Sequence, residues 1–159
     1  MSIRGVRLTS PEATREAASA LARYLAPGDA IGLVGDLGAG KTCFVQGLAR
    51  GLGVPDSVRV TSPTFTLINE HRGGRLALFH VDLYRIDRPG ELDNIGLDDL
   101  FRAPAVVAVE WCDRFPVLPA DHLRVELSAV AENERALDAV GRGARGMALA
   151  GAWALDLAD

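Results

Sequence analysis

The sequence predicts an α/β fold in which helices flank a central mixed sheet, and three features indicate it. Apolar runs at 29–34 and 105–109 are typical of buried strands. Residues 43–52 have apolar side chains at helical spacing, and a glycine-rich loop at 35–42 joins them to the first strand. A strand, a glycine-rich loop and a helix in this order form the P-loop of NTPases, so we predict a P-loop NTPase fold. The 159 residues predict one domain.

The loop at 35–42 reads GDLGAGKT and fits the pattern G-x-x-x-x-G-K-[ST]. In such a loop the backbone N–H groups point at an anion, and the next helix adds the positive end of its dipole. We expect Lys41 to contact the β- and γ-phosphates of a nucleotide, and the Thr42 hydroxyl to bind the bridging Mg²⁺. Lys41 is the only lysine among 17 basic residues, which favours a phosphate role for its compact ammonium. The predicted nucleotide contacts in this segment are Asp36, Leu37, Gly38, Ala39, Gly40, Lys41, Thr42 and Cys43.

Composition excludes several classes of protein. The chain is 48% hydrophobic and 24% charged, as is usual for globular proteins, and no apolar run approaches the roughly 18 residues of a membrane span. Residues 1–4 do not begin a signal peptide, so we expect a cytoplasmic protein. The net charge of −4 argues against independent binding to RNA. Cys43 and Cys112 are too far apart for a metal-ligand motif, and we expect reduced thiols.

The N-terminal segment, residues 1–27, is predicted to be helical. Ser10 and Pro11 form a helix-start signal, and Pro27 with Gly28 ends the pattern before the P-loop strand. The apolar stripe of this helix predicts packing against the rest of the protein. Its position before the strand leaves open a second role beside the nucleotide base.

A hydroxyl-rich bend and two strands are predicted between 58 and 81. The bend at 62–64 leads into a strand at 65–68, and a tip at 71–75 joins that strand to an antiparallel one at 75–81. Thr64 could sense a γ-phosphate, as a switch loop does, or could belong to an ordinary capped turn.

Carboxylates end two of the predicted strands. Asp82 shares a strand face with His80, and it either orients water or Mg²⁺ or pairs with Arg85 to hold a turn. Glu110 ends the apolar run at 105–109, as an acid ends a Walker B strand. Because ligands bind beyond the carboxyl ends of parallel strands, we expect Glu110 to face the same crevice as Lys41. There it would bind a metal or polarise the nucleophile, the alternative being an acid at a strand end in plain solvent.

Trp111 and the C-terminal part of the chain give weaker signals. Trp111 could line the base or a partner surface, or could pack in the core. Gly96 is expected to separate two short helices, and strands at 123–127 and 136–140 are expected to pair across a turn. The sequence gives only a weak indication of the secondary structure of residues 142–159, for which we expect a glycine-broken helix or a frayed tail.

These motifs, in this order, resemble the TsaE family of bacterial P-loop ATPases. The resemblance rests on the P-loop and on the segments at 62–65, 80–85, 95–98 and 109–111. It implies ATP hydrolysis in the synthesis of threonylcarbamoyladenosine, beside the anticodon of tRNAs that read codons beginning with A. It also implies assembly with the TsaB and TsaD proteins. Because the net charge of −4 disfavours tRNA binding by the chain alone, we expect that assembly to hold the tRNA.

The resemblance assigns roles to residues of this chain. Thr42 matches the magnesium ligand of the family, and Thr64 lies in its switch-like segment. Thr64 and Trp111 are added to the predicted nucleotide contacts. Asp82 and Glu110 match its catalytic or metal-organising acids, so the predicted catalytic residues are Lys41, Asp82 and Glu110, and the predicted metal ligands are Thr42 and Glu110. The chain departs from the family pattern at Cys43, where threonine is common, and at Cys112, where proline is common.

Two other functions fit the same P-loop. A small-molecule kinase would need an acceptor pocket and arginines on a closing lid, for which Arg142 and Arg145 are the candidates. A nucleotide-gated binding module would bind ADP tightly without turnover. No arginine is predicted opposite the P-loop, so we expect an ATPase that is slow alone and faster with its partners.

Overall fold

The computed structural model describes residues 1–36, 38–55, 60 and 67–158. Its helices are α1 (Pro11–Ala22), α2 (Lys41–Gly51), α3 (Leu97–Arg102) and α4 (Gly143–Leu157). Its strands are β1 (Ser2–Leu8), β2 (Ala30–Val34), β3 (Ile68–His71), β4 (Ala77–Asp82), β5 (Ala105–Glu110), β6 (His122–Ala129) and β7 (Arg135–Arg142). Two short 3-10 helices span Pro89–Asn94 and Cys112–Arg114.

The described strands form one mixed sheet in the order β1-β7-β6-β2-β5-β4-β3. Strands β4, β5, β2 and β6 are parallel neighbours, whereas β3, β7 and β1 pair in the antiparallel sense. The predicted mixed sheet is therefore confirmed. The carboxyl ends of β2, β4 and β5 lie at the same edge of the sheet, where α/β folds bind their ligands.

Hydrophobic clusters cover both faces of this sheet. Successive residues of β5 point to opposite faces, so Val106 belongs to one cluster and Val107 to the other. Helices α1, α2 and α4 pack on the first face, where the rings of Phe44 and Trp153 meet edge to face at 5.9 Å. All six residues of β5 are buried, as expected of a strand that is covered on both sides.

Helix α2, which follows the P-loop, lies close against α1. A Cβ atom at Gly47 would come within 2.3 Å of the Arg15 carbonyl oxygen, so only glycine allows this approach. The start of α1 is confirmed as predicted, because Pro11 is its first residue and the Ser10 side chain accepts a hydrogen bond from the Ala13 N–H at 3.0 Å.

Several expectations outside the P-loop are confirmed. β3 and β4 form the antiparallel pair, β6 and β7 form the second hairpin, and Gly96 separates a 3-10 helix from α3. The strand predicted at 65–68 is observed as β3 at 68–71, so His71 belongs to the strand and not to the predicted tip. Leu67 lies in a bend with a φ angle of 65°, and residues 65 and 66 lie outside the described residues.

The predicted helical character of residues 1–27 is wrong for the first part of the segment. Residues 2–8 form the edge strand β1, which pairs with β7. This strand has few apolar residues, and only Ile3 and Leu8 are buried. Its sequence therefore lacks the alternation of apolar and polar residues by which a strand is predicted.

The C-terminal segment is also better ordered than its sequence predicts. Residues 143–157 form one helix, which runs through Gly146 and Gly151 without a break. A Cβ atom at Gly146 would come within 2.1 Å of the His122 carbonyl oxygen, so this glycine permits close packing and does not end the helix. No helix within the described ranges is long and apolar enough to span a bilayer.

Candidate functional site

The P-loop leaves the carboxyl end of β2 and leads directly into α2. Gly38 and Gly40 have φ angles of 81° and 104°, in the left-handed region that favours glycine. Gly40 caps α2, and a Cβ atom at Gly35 would come within 2.4 Å of the Leu127 carbonyl oxygen. The predicted order of strand, loop and helix is therefore observed. The predicted contact Leu37 lies outside the described residues.

Lys41 is 5% exposed although it carries a charge. Its Nζ donates a hydrogen bond of 2.5 Å to the Gly35 carbonyl oxygen and lies 3.5 Å from the centre of the Trp111 ring, in a cation–π contact. Burial lowers the pKa of Lys41, and the nearby carboxylates of Glu110 and Asp82 oppose this effect. The ammonium is thus held, largely desolvated, among groups that interact with a cation.

The two predicted acids lie at the ends of adjacent strands. Asp82 and Glu110 are register partners at the carboxyl ends of β4 and β5. Glu110 is 3% exposed, and its Oε2 lies within hydrogen-bonding distance of Nε2 of the buried His80. A buried carboxylate needs such a partner, so His80 fixes the orientation of Glu110. Asp82 accepts a 2.9 Å hydrogen bond from the Tyr84 N–H, a contact that also holds the turn after β4.

His71 lies behind His80 in the same part of the interior. Its ring centre is 6.4 Å from that of His80, and His71 is 4% exposed. Burial, and then the neighbouring His80, lowers the pKa of His71. The interior behind Glu110 therefore disfavours a charged imidazole at His71.

Trp111 packs in the protein, which is one of its predicted roles, and it also lines the cavity over the P-loop. The chain turns sharply after β5 at Trp111, whose φ angle is 61°. The backbone N–H of Trp111 donates a hydrogen bond to the Leu33 carbonyl oxygen at 3.1 Å. The half-buried indole packs against the second hydrophobic cluster and lies 5.1 Å from the Tyr84 ring. Its other neighbour is the Lys41 ammonium. Trp111 therefore packs in the protein and also forms a wall of the P-loop site.

A cavity of about 460 Å³ lies over the P-loop, within the size range of small-molecule sites. It brings together seven residues that were predicted from the sequence: Gly38, Gly40, Lys41, Thr42, Cys43, Glu110 and Trp111. Asp36 and Ala39 line a smaller neighbouring cavity together with Trp111. Asp82 is not among the described lining residues of either cavity, and Thr64 lies outside the described residues.

Four of the described residues that line the cavity over the P-loop were not predicted from the sequence. Pro11 and Thr14 come from the start of α1, which agrees with the open possibility that this helix flanks the nucleotide base. Asn133 and Arg135 come from the turn and the start of β7 in the C-terminal hairpin. The hairpin was predicted, but its position over the P-loop follows from the order β7-β6-β2 in the sheet, which no local pattern encodes.

The two cysteines are unpaired thiols, as predicted. Cys112 is buried, and burial raises its pKa to about 11, so it stays protonated at neutral pH. Cys43 is half-buried in the cavity wall, and its Sγ lies 3.7 Å from a guanidinium nitrogen of Arg15.

The donor set of the cavity fits magnesium bound together with a nucleotide. No group of three or more His, Cys, Asp or Glu side chains in the described part of the chain could hold a metal ion by itself. The oxygens of Thr42 and Glu110 are hard donors, and Mg²⁺ is usually held by one or two such groups with substrate phosphates and water.

Comparison with known proteins gives concordant matches over most of the chain. Residues 8–137 match the family model described as "Threonylcarbamoyl adenosine biosynthesis protein TsaE". The chain is 41% identical over 130 residues to "tRNA threonylcarbamoyladenosine biosynthesis protein TsaE" of Bacillus subtilis strain 168, covering 81% of this chain and 80% of that protein. It is also 41% identical over 132 residues to the protein of the same name from a Nostoc species, covering 80% of each. The crystal structure of Bacillus subtilis YdiB superposes with a TM-score of 0.80 at 33% identity, over 98% of this chain and 96% of that one.

Proposed function

Since the chain belongs to the TsaE family, we propose that it is the ATP-hydrolysing component of tRNA threonylcarbamoyladenosine biosynthesis. The observation that carries the proposal is Lys41, the only lysine of the chain, buried in the P-loop cavity beside Glu110. Burial of an ammonium is costly unless the charge is paired, as it is here by the Gly35 carbonyl oxygen and the Trp111 ring. Nucleotide phosphates in the cavity would add full negative charges to these partners.

Each residue of the site would have its own role in ATP hydrolysis. The P-loop backbone and Lys41 would bind the phosphates, with Thr42 and Glu110 as ligands of Mg²⁺. When bound, Mg²⁺ would neutralise the charge that develops on the phosphates. Glu110, held by His80, would orient the attacking water, and Asp82 at the end of β4 would support the same region of the site. Pro11 and Thr14, which line the same cavity, would contact the rest of the nucleotide.

The arginines of the site support the proposal that the rate of ATP hydrolysis depends on TsaB and TsaD. Arg135 is the only arginine among the described residues that line the cavity, and its guanidinium donates to backbone carbonyl oxygens. It is therefore not available as an arginine finger, a group that raises hydrolysis rates about 10³–10⁵-fold in related chemistry. We propose that the TsaB and TsaD assembly completes the site and holds the tRNA, because a chain of net charge −4 binds RNA weakly alone.

The structure gives less support to a small-molecule kinase. Arg145, one of the two candidate lid residues, donates to the Asp29 carboxylate at 2.8 and 2.9 Å and to the Tyr24 carbonyl oxygen at 2.7 Å. Neither Arg145 nor Arg142 is among the described residues that line the cavity.

Phosphate release from ATP, measured without an added acceptor, tests the proposal. We expect slow release by the chain alone and at least tenfold faster release with TsaB, TsaD and tRNA. Tight ADP binding with no release under either condition would favour the nucleotide-gated binding module. Phosphate transfer to a small molecule, in place of release, would favour the kinase.

A further inference from the structure

Arg135 connects the C-terminal hairpin to the P-loop. It is the first residue of β7, and its side chain crosses from the hairpin turn to the loop. Its Nε donates to the Ala39 carbonyl oxygen at 3.1 Å, and one terminal nitrogen donates to the Gly38 carbonyl oxygen at 3.0 Å. The other terminal nitrogen donates, at 2.9 to 3.2 Å, to the turn carbonyl oxygens of Ala131, Glu132 and Glu134.

The contacted peptide groups are those that a P-loop must hold in a fixed orientation. Gly38 and Gly40 have positive φ angles and lack a Cβ atom, so the peptides between them can rotate at low steric cost. A trans peptide is planar, with its N–H opposite its C=O. When Arg135 holds the Ala39 carbonyl oxygen, it therefore directs the Gly40 N–H away from the guanidinium.

The charge of Arg135 strengthens these contacts. No carboxylate in the described part of the chain forms an ion pair with it. Its donors therefore meet carbonyl dipoles alone, and hydrogen bonds from a charged donor are about twice as strong as neutral ones. The neighbouring turn residue Glu134 pairs at 3.6 Å with Arg7, an ion pair whose side chains are 60% and 45% exposed.

We propose that Arg135 is a positioning residue, which holds the P-loop in its phosphate-binding conformation from the C-terminal hairpin. The role deepens the proposed function, on whose nucleotide binding it rests. Arg135 acts through the loop backbone and not on the reacting phosphate. Its planar fork bonds two consecutive carbonyl groups, which a lysine ammonium on a flexible stem does not reproduce.

Amide hydrogen exchange and nucleotide affinity, measured on the full chain, test this proposal. The variants are Arg135→Ala, Arg135→Lys and, as the matched control, Arg7→Ala, which removes an arginine that contacts the same turn and not the P-loop. Exchange is followed without nucleotide, in peptides that cover residues 38–42 and, for the fold, in peptides from β2 and β5. Binding is titrated with ADP and Mg²⁺.

In Arg135→Ala we expect faster exchange of the Ala39 N–H, which donates to the Asp36 carbonyl oxygen at 3.0 Å and belongs to the peptide group whose oxygen Arg135 holds. Its exchange should be at least about tenfold faster than in the parent, with β2 and β5 still protected. ADP binding should be at least about tenfold weaker. Arg135→Lys should recover part of the affinity for ADP, while amide exchange in the P-loop stays fast. Arg7→Ala should match the parent in both exchange and ADP affinity.

Parent-like exchange at 38–42 in Arg135→Ala would overturn the proposal. This holds even if ADP binding falls, because Arg135 would then act by charge alone. If Arg135→Ala loses protection throughout, the folded Arg135→Lys variant decides the question by the same exchange measurement. If the parent itself does not bind ADP, the proposed function fails, whereas the exchange data still test the contact between Arg135 and the loop.

Discussion

Replacement of Lys41 by methionine should lower the efficiency of ATP hydrolysis by about three decades or more and leave the fold intact. Methionine keeps an unbranched stem and removes the ammonium, which the protein shields almost completely from solvent. At an effective dielectric constant of about 20, an ammonium and a phosphate charge about 4 Å apart attract by about 4 kcal/mol. Because 1.36 kcal/mol corresponds to about one decade in rate, kcat/KM should fall by about 10³ or more.

The effect of this substitution on stability should be much smaller. The Lys41→Met variant loses the hydrogen bond from Lys41 to Gly35, worth about 1.5–3 kcal/mol, and the contact with Trp111, worth about 2 kcal/mol. The variant also avoids the desolvation of a buried ammonium, which costs several kcal/mol. The free energy of unfolding should therefore change by less than about 2 kcal/mol.

Phosphate release and thermal unfolding of the Lys41→Met variant separate these two effects. Lys41→Arg is the charge-retaining control, and we expect it to be inactive as well, because a planar guanidinium fork does not reproduce the compact charge that the ammonium presents to the phosphates. A folded Lys41→Met variant with kcat/KM within tenfold of the parent would refute the role of the P-loop in hydrolysis.

Three further predictions concern the groups around the cavity. Glu110→Gln and Asp82→Asn should each lower kcat at least tenfold while changing the dissociation constant for ADP less, and a parent-like kcat in either variant would assign that residue a structural role only. Because the pKa of His71 is lowered on folding, the unfolded chain binds more protons below about pH 6.5; stability should therefore fall as pH falls below that value, and this dependence should be weaker in His71→Gln. Iodoacetamide should alkylate Cys43 faster than the buried Cys112, and ADP with Mg²⁺ should slow the reaction at Cys43; equal rates at both thiols, or no protection by ADP, would contradict the cavity assignment.

The sequence predicted the parts of the site that depend on local pattern. The P-loop has a fixed spacing of glycine, lysine and threonine, and Glu110 follows a strand whose continuous apolar run is typical of burial on both faces. The parallel alignment of β2, β4 and β5 then brings the strand ends together. Because parallel strands carry their ligands at one edge of the sheet, the sequence alone was enough to expect Lys41 and Glu110 in the same crevice.

The sequence did not predict contacts that depend on distant pairing. Arg135 meets Gly38 across 97 positions of the chain, through the placement of the hairpin beside β2. The contact between His80 and Glu110 likewise depends on which strands are neighbours, although the alternation of His80 and Asp82 along β4 was visible. The edge strand β1 was missed because most of its side chains face solvent.

The most direct test of the proposed function is threonylcarbamoyladenosine formation in tRNA, measured in a reaction reconstituted with TsaB, TsaD, ATP and this chain. The parent chain should support product beyond one equivalent per complex, while the Lys41→Met variant should not, although it is folded. The same yield with the variant, or with the chain omitted, would contradict the claim that ATP hydrolysis at this P-loop drives the modification.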